Sequence, residues 1–251
     1  MPYAEDVILK YTIMREMVYS FFSFLLDLVV VPRHSELAVR TLTPNTLRAL
    51  AARHNTQHNE HISILPYHEE RVTALVWEVK YYKNRRAAAL AGEILQETLL
   101  AIASESLGRP LLIPIPMHRS RRRERGHNQT EVLCEAALDI GDRYFRRKVW
   151  PTKGRRPEDF SERIPVGNIL EYYPTVLTRI KNTSPQQGLA KYSRLSNVKN
   201  SMYVTHPELV VGRTCIVVDD VATTGATFAE ARRALMTAGA SAVECVALAG
   251  S

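Results

Sequence analysis

Cys215-Ile216-Val217-Val218-Asp219-Asp220-Val221-Ala222-Thr223-Thr224-Gly225-Ala226-Thr227 divides into three pieces. A wholly apolar run predicts a buried parallel strand. Two adjacent carboxylates stand at its end. Small and hydroxyl-bearing residues with one glycine then lead into a helix, for which Thr227 and Glu230 form a capping box. The free N–H groups of a helix N-terminus favour a phosphate. Gly225 and its small neighbours let the backbone approach one closely. A carboxylate pair accepts hydrogen bonds from two neighbouring sugar hydroxyls. The stretch therefore fits a ribose 5-phosphate. Its diol would lie on Asp219 and Asp220, and its phosphate in the loop of Ala222, Thr223, Thr224, Gly225, Ala226 and Thr227. No Gly-Lys-Ser/Thr follows, so this is not a Walker loop. The plainer alternative is a strand–turn–helix with a polar turn.

The order of apolar strand, paired Asp, Thr-Thr-Gly-Ala-Thr and helix resembles the phosphoribosyl pyrophosphate (PRPP) signature of type I phosphoribosyltransferases. The resemblance implies that the two acidic residues hold the ribose hydroxyls and the following loop holds the 5-phosphate.

Working outward, the C-terminal side is regular. A helix over Phe228–Ala238 stops at Gly239, and Ala242–Ala249 is an apolar strand, giving a βαβ unit. On the N-terminal side, Leu111 to Pro116 predicts a buried strand whose two prolines suit a strand running directly into a ligand loop. Five arginines in seven residues follow, Arg119 to Arg125, and then a helix over about Asn128–Leu138. A charge run is ordinarily a solvated surface. This one follows a strand, as the Asp219 loop does, and in an open parallel sheet ligands sit outside the carboxyl ends of strands. The two loops should face one crevice, with an arginine of the run neutralising a pyrophosphate.

Upstream, Val72, Leu75, Val76 and Val79 recur at helical spacing, with Lys80 near the helix end. Asn84 should break that helix, and a second should span Arg85 to about Ser104 and end at Gly108. Residues 1–66 read as a helical extension. A helix is expected over about Asp6–Val30, a turn or helix start at Thr43-Pro44-Asn45, and a helix over Leu47–Arg53. His54, His58 and His61 lack partners at a metal-ligand spacing and read as an exposed polar helix end. Val149-Trp150 and Tyr173–Ile180 are candidate strands, Thr152–Arg163 a mobile loop, and Met202–Val204 extended.

The chain has 251 residues, 45% hydrophobic and 24% charged, which is a globular composition. Its formal net charge of +7 makes polyanions natural partners, whether nucleic acid or a small phosphorylated substrate. Cys134, Cys215 and Cys245 form no C-x-x-C pair, so neither a zinc ribbon nor a disulfide framework is indicated, and a reducing cytoplasm is the simplest compartment. The apolar run Val18–Val31 is short for a membrane span and contains Asp27, so no span is expected.

Four further pieces narrow the resemblance: Leu75–Lys80 with Tyr81; Pro114-Ile115-Pro116 with Arg125-Gly126-His127-Asn128-Gln129; Arg179, Thr183, Gln186, Leu189, Arg194 and Asn197 in order; and the aspartate loop. Together they resemble the competence-protein-F-like group of phosphoribosyltransferase-fold proteins over roughly residues 67–251. His127 departs from the group's usual Phe, and the four-cysteine zinc ribbon of many members is missing. The resemblance implies an α/β type I phosphoribosyltransferase fold, a mostly parallel sheet flanked by helices, in a domain 67–251 behind the helical extension 1–66. It implies Mg²⁺ with PRPP as substrate, Asp219 and Asp220 on the ribose and reaching the metal through water, and no zinc. Arg119, Arg125 and Lys80 become candidates for the pyrophosphate. The acceptor is not legible. The rival expectation is a non-catalytic PRPP-fold protein acting in DNA uptake, whose basic surfaces contact single-stranded DNA or competence proteins.

Overall fold

The apolar runs around residues 112, 216 and 246 become neighbouring strands, each buried on both faces. The computed structural model describes residues 32–54, 56–58, 60–145, 164–166, 169–180 and 199–250. The expected helix before Val30, the Val149-Trp150 strand, the Thr152–Arg163 loop and the motif positions from Thr183 to Asn197 lie outside them. In chain order the elements are α1 (His34–Thr41), α2 (Pro44–Arg53), β1 (Thr56–His58), β2 (His61–Pro66), α3 (Glu70–Tyr82), α4 (Arg85–Glu105), β3 (Leu111–Pro114), α5 (Arg119–Arg125), α6 (Gln129–Phe145), β4 (Ile164–Val166), β5 (Leu170–Tyr172), β6 (Leu177–Arg179), β7 (Met202–Val204), β8 (Thr214–Ala222), α7 (Ala226–Thr237) and β9 (Ala242–Gly250).

The main sheet has the order β1-β2-β9-β8-β3-β5-β4. Its five inner strands run parallel, and the edge strands β1 and β4 are antiparallel. Alternate residues sort into two cores, as a period of two demands. Leu112, Ile216, Val218, Val246 and Leu248 join the helices α1, α2, α3, α4 and α6 on one face. Leu111, Ile113, Cys215, Val217, Val243 and Cys245 join α7 and the separate β6–β7 ribbon on the other. Covering both faces is why these strands read as unbroken apolar runs.

Local signals account for most helix boundaries. Thr43 caps α2 through Oγ1, which accepts from Thr46 N–H at 3.2 Å, with Pro44 in the first turn. Lys83 ends α3 in the left-handed region at φ 51°. Asn84 then caps α4, its Oδ1 accepting from Arg86 and Ala87 N–H at 3.0 and 3.2 Å. By length and composition α4 is the one described helix apolar enough to cross a membrane. Here it packs Leu90, Ile94, Leu95 and Leu99 into the core. A Cβ on its Gly92 would lie 2.6 Å from the Ala136 carbonyl carbon, so α4 and α6 meet backbone to backbone.

Three expectations change. The sheet begins before residue 67: β2 pairs in parallel with β9, and Val39, Leu42, Leu47 and Leu50 of α1, its C-terminal end and α2 share the first core. The hairpin β1–β2 therefore takes His58 and His61, which the sequence placed at a helix end. The arginine run is helical, with His118 Nδ1 accepting from Ser120 N–H at 3.3 Å and Gly126 closing the helix at φ 74°. The capping box does not form. α7 starts two residues early, on Gly225 at φ 70° with no side-chain cap, and Glu230 turns instead to the N–H groups of Ser201 and Met202 at 2.8 and 3.0 Å.

Candidate functional site

β3 and β8 are neighbours in the sheet, and the chain leaves them towards opposite faces. α6 packs in one core and α7 in the other. Such a switch point opens a crevice at the carboxyl ends of the strands. Here it holds about 420 Å³, lined by Tyr67, Lys80 and Tyr81, by Pro116 to His118 with Arg121 and Arg125, by Gln129, by Arg179, and by Asp219, Asp220, Thr223 and Thr227. The two strand-end loops thus face one another, as their positions in the sequence predict.

Asp219 and Asp220 form the floor and are 8% and 7% exposed. Asp219 Oδ1 accepts from Asp220 N–H at 2.8 Å, and Asp220 Oδ1 accepts from Val221 N–H at 2.9 Å. Asp220 Oδ2 meets Lys80 Nζ at 3.2 Å and accepts from Gln129 Nε2 at 3.2 Å. Lys80 reaches it from α3 and Gln129 from the first residue of α6. Among the described residues Asp219 makes no such ion pair. Burial, then the neighbouring Asp220 charge, pushes its carboxyl well above the ordinary range, only partly offset by the Asp220 N–H and Arg179. Lys80 is shifted upward too, which in its case favours the charged form. Burial would lower it, but Asp220 outweighs burial and holds it above its usual value. Among the described residues no group of three His, Cys, Asp or Glu is placed to hold a metal. What the floor offers is two carboxylates, a set that suits Mg²⁺ held mainly by substrate oxygens and water.

The loop above the floor is built for close approach. Ala222 ends β8, buried beside Gly250. Thr223 is exposed and Thr224 and Thr227 are half-buried, while Ala226 is buried in the first turn of α7. A Cβ on Gly225 would lie 3.6 Å from the His61 ring, so His61 of β2 backs the loop. With glycine at the N-cap, the first N–H groups of α7 have neither an intrahelical acceptor nor a side-chain cap.

The cationic wall differs in detail from the sequence reading. Arg125 and Lys80 line the crevice, Arg119 does not, and Arg121 stands in its place. Arg122, also outside it, is tied to Glu131 by two bonds of 2.6 and 2.9 Å. The turn of α5 brings Arg121 and Arg125, four residues apart, to the crevice and leaves Arg122 outside it, which a linear charge run conceals. Gln129 and Arg179 were quoted in motifs without a role. Gln129 Oε1 is buried with no partner among the described residues, as are Nε and Nη2 of Arg179. The loop after β3 is fixed through the Ile115 carbonyl, which accepts from Thr130 Oγ1 at 2.7 Å and Asn128 Nδ2 at 3.1 Å. His127, where the resembling group has Phe, bridges the carbonyls of Arg125 and Val79 at 3.1 and 3.2 Å and so joins that loop to α3.

A parallel sheet whose switch point carries an acidic pair and a glycine-started helix defines a phosphoribosyltransferase-type domain. The sequence agrees: residues 168–251 match the phosphoribosyl transferase domain. Among curated relatives, the DNA utilization protein YhgH of Salmonella typhi is 29% identical over 69% of this chain and 64% of its own length. Competence protein F of Haemophilus influenzae is 29% identical over 55% of this chain and 49% of its own. The chain thus spans somewhat less than two thirds of the relatives it matches. Hypoxanthine phosphoribosyl transferase of Trypanosoma cruzi superposes with a TM-score of 0.34 at 13% identity, over 62% of this chain and 63% of that one. The chain thus carries a phosphoribosyl transferase domain over residues 168–251 and is similar to DNA utilization and competence proteins.

Proposed function

We propose that the chain binds PRPP with Mg²⁺ and transfers its phosphoribosyl group to an acceptor, releasing pyrophosphate. The observation that carries this is Asp219, a buried carboxyl with no ion pair among the described residues, placed just before a helix whose N-terminus has no side-chain cap. A sugar diol supplies the missing donors, and the helix end receives the 5-phosphate. Asp219 and Asp220 hold the ribose and would share the Mg²⁺, which when bound neutralises charge on the diphosphate. Ala222 to Thr227 form the phosphate loop. Lys80 and Arg125 face the diphosphate.

The acceptor's lone pair forms a bond to C1 while the C1–O bond breaks, its electrons leaving on pyrophosphate. The transition state is oxocarbenium-like, and the carboxylates on the floor suit its positive charge. Calorimetry with Mg·PRPP tests the site. The wild type should bind and Asp219→Asn with Asp220→Asn should not, and equal binding by both removes this assignment. A screen for acceptor-dependent pyrophosphate release then identifies the nucleophile. Three buried free thiols suit a reducing compartment, and we place the reaction in the cytoplasm.

A second reading, a PRPP-fold protein that handles single-stranded DNA, is favoured by one feature. Trp77 and Tyr81 of α3 are 46% and 45% exposed with ring centroids 5.1 Å apart, and the Arg125 guanidinium lies 5.1 Å from the Tyr81 ring. Aromatics and arginines distant in sequence thus form one surface of the kind on which bases stack. The names of the relatives, DNA utilization and competence proteins, accord with it. Salt-dependent binding of an oligonucleotide, lost in Trp77→Ala with Tyr81→Ala, together with no pyrophosphate release for any acceptor, would select this reading.

A further inference from the structure

His127 stands between α5 and α6, and its half-buried ring meets two helix ends. Nδ1 lies 3.1 Å from the Arg125 carbonyl and Nε2 lies 3.2 Å from the Val79 carbonyl. Arg125 is the last residue of α5, and Val79 belongs to the last turn of α3. Carbonyls there lack the N–H groups that a continuing helix would supply. At the end of α3 the N–H groups of Lys83 and Asn84 both turn to the Glu78 carbonyl, which leaves the Val79 carbonyl to the imidazole.

A carbonyl oxygen only accepts, so two carbonyls call for two donors. A neutral imidazole has one N–H, and its other nitrogen would turn a lone pair towards an oxygen. The imidazolium donates to both, and the C-terminal ends of helices favour a cation. Charged groups on the surrounding elements act in both directions. Glu78 on α3 is bound by Arg33, Ser35 and Asn84. Lys80 on α3 meets Asp220, and Glu131 on α6 meets Arg122 on α5. Lys83 and Arg125 oppose a further positive charge. Lys83 Nζ lies 3.6 Å from where a Cβ on Gly126 would stand, and the Arg125 guanidinium lies over the Tyr81 ring. The ring therefore holds its second proton between two carbonyls that favour it and two cations that oppose it.

What the ring joins gives that proton an effect. Val79 immediately precedes Lys80, which makes the ion pair with Asp220, and Arg125 lines the crevice wall. We propose that His127 is a proton-dependent latch and a positioning residue of the crevice. With both nitrogens protonated it ties the end of α5 to the end of α3. On losing one proton it lets one carbonyl go, and Arg125 and Lys80 are no longer held at one spacing. Phenylalanine, the residue of the resembling group, would pack there without either bond. The latch rests on these contacts and not on what the crevice binds.

NMR of the ligand-free full chain, isotope-labelled at the imidazole nitrogens, tests it from about pH 5 to about pH 9. At the acid end the His127 ring should carry a proton on both nitrogens. The backbone amide signals of Lys80 and Gly126 should shift with the same midpoint as the ring. Urea unfolding supplies a second measurement. Wild type should exceed His127→Phe by about tenfold in the folding equilibrium constant at the acid end, and the advantage should shrink as pH rises and the bridging proton is lost. A ring with a single proton at every pH overturns the latch, as does a ring that titrates while the Lys80 amide stays still. An advantage independent of pH also overturns it and marks His127 as packing alone. The ring spectrum needs no variant, so it decides the matter even where His127→Phe fails to fold. No ligand enters either measurement, and the PRPP reading stands or falls separately.

Discussion

Glu78 and Asp219 are both buried carboxylates on the same domain, and their surroundings are opposite. Glu78, on α3, is wholly buried and surrounded by donors. Arg33 Nε and Nη2 reach it at 3.2 and 3.1 Å, Ser35 Oγ at 2.6 Å and Asn84 Nδ2 at 2.9 Å. Burial alone would raise its pKa, but these bonds outweigh it and hold the group below the ordinary carboxylate range. Asp219 has, among the described residues, one backbone donor and a second carboxylate beside it, and is driven upward. A charge whose bonds are all made inside the fold joins two parts of the chain, here the residues around α1 and α3. A carboxyl short of partners at a strand end is a candidate to take them from outside.

The contrast is sharpest in the effect of removing each charge. Asp219→Asn with Asp220→Asn should weaken Mg·PRPP by about 1,000-fold, the loss of two charged acceptors, as read by calorimetry. Stability should move the other way from what carboxylate loss does at Glu78. Glu78→Ala should destabilise by about 3 kcal/mol, because Arg33, Ser35 and Asn84 lose their common acceptor. Asp219→Asn should stabilise the ligand-free protein by about 1 kcal/mol. Urea unfolding of the two variants measures both, and a loss of stability at each position would dissolve the comparison.

Acidity supplies a finer test of the same kind. The folded pKa of Glu78 is depressed, so its contribution is present above its unfolded value and is lost as pH falls through the folded one. The folded pKa of Asp219 is raised, so its contribution is full below its unfolded value and is lost as pH rises through the folded one. Removing Glu78 should flatten the acid limb of the stability profile, and removing Asp219 the limb above it. The smallest effect is expected at Gly225→Ala, about 1 kcal/mol of strain at φ 70°. It should cost ribose 5-phosphate affinity, measured by the same calorimetry, more than it costs stability.

The sequence disclosed the aspartate floor and the strand–loop–helix geometry of the glycine loop almost completely, because both lie on one segment with local signals. It disclosed the helices from Glu70 and Arg85 through their periodicity and Asn84. The hairpin Thr56–Pro66 went unread, since its pairing with residues 246–250 is non-local and its histidines carry no strand signal. The wall was half legible. Arg125 and Lys80 were picked out and do face the crevice, but Arg121 replaces Arg119 because helical rotation, not charge density, decides which arginine turns inward. Glu230 was misassigned for a related reason. A capping box is a local pattern, and a ribbon 29 residues away offered two better donors. The aromatic surface of Trp77 and Tyr81 beside Arg125 is a product of the fold alone.

The place of β9 in the sheet has a consequence for the order of events during synthesis. Residues 242–250 are made long after β2, yet β9 lies between β2 and β8 and pairs with both. While the ribosome still holds that strand, β2 has no parallel neighbour and the apolar faces of α1 to α4 lack much of the sheet they cover. The N-terminal helices therefore emerge as an incomplete half, and closure waits for a strand nearly two hundred residues further on.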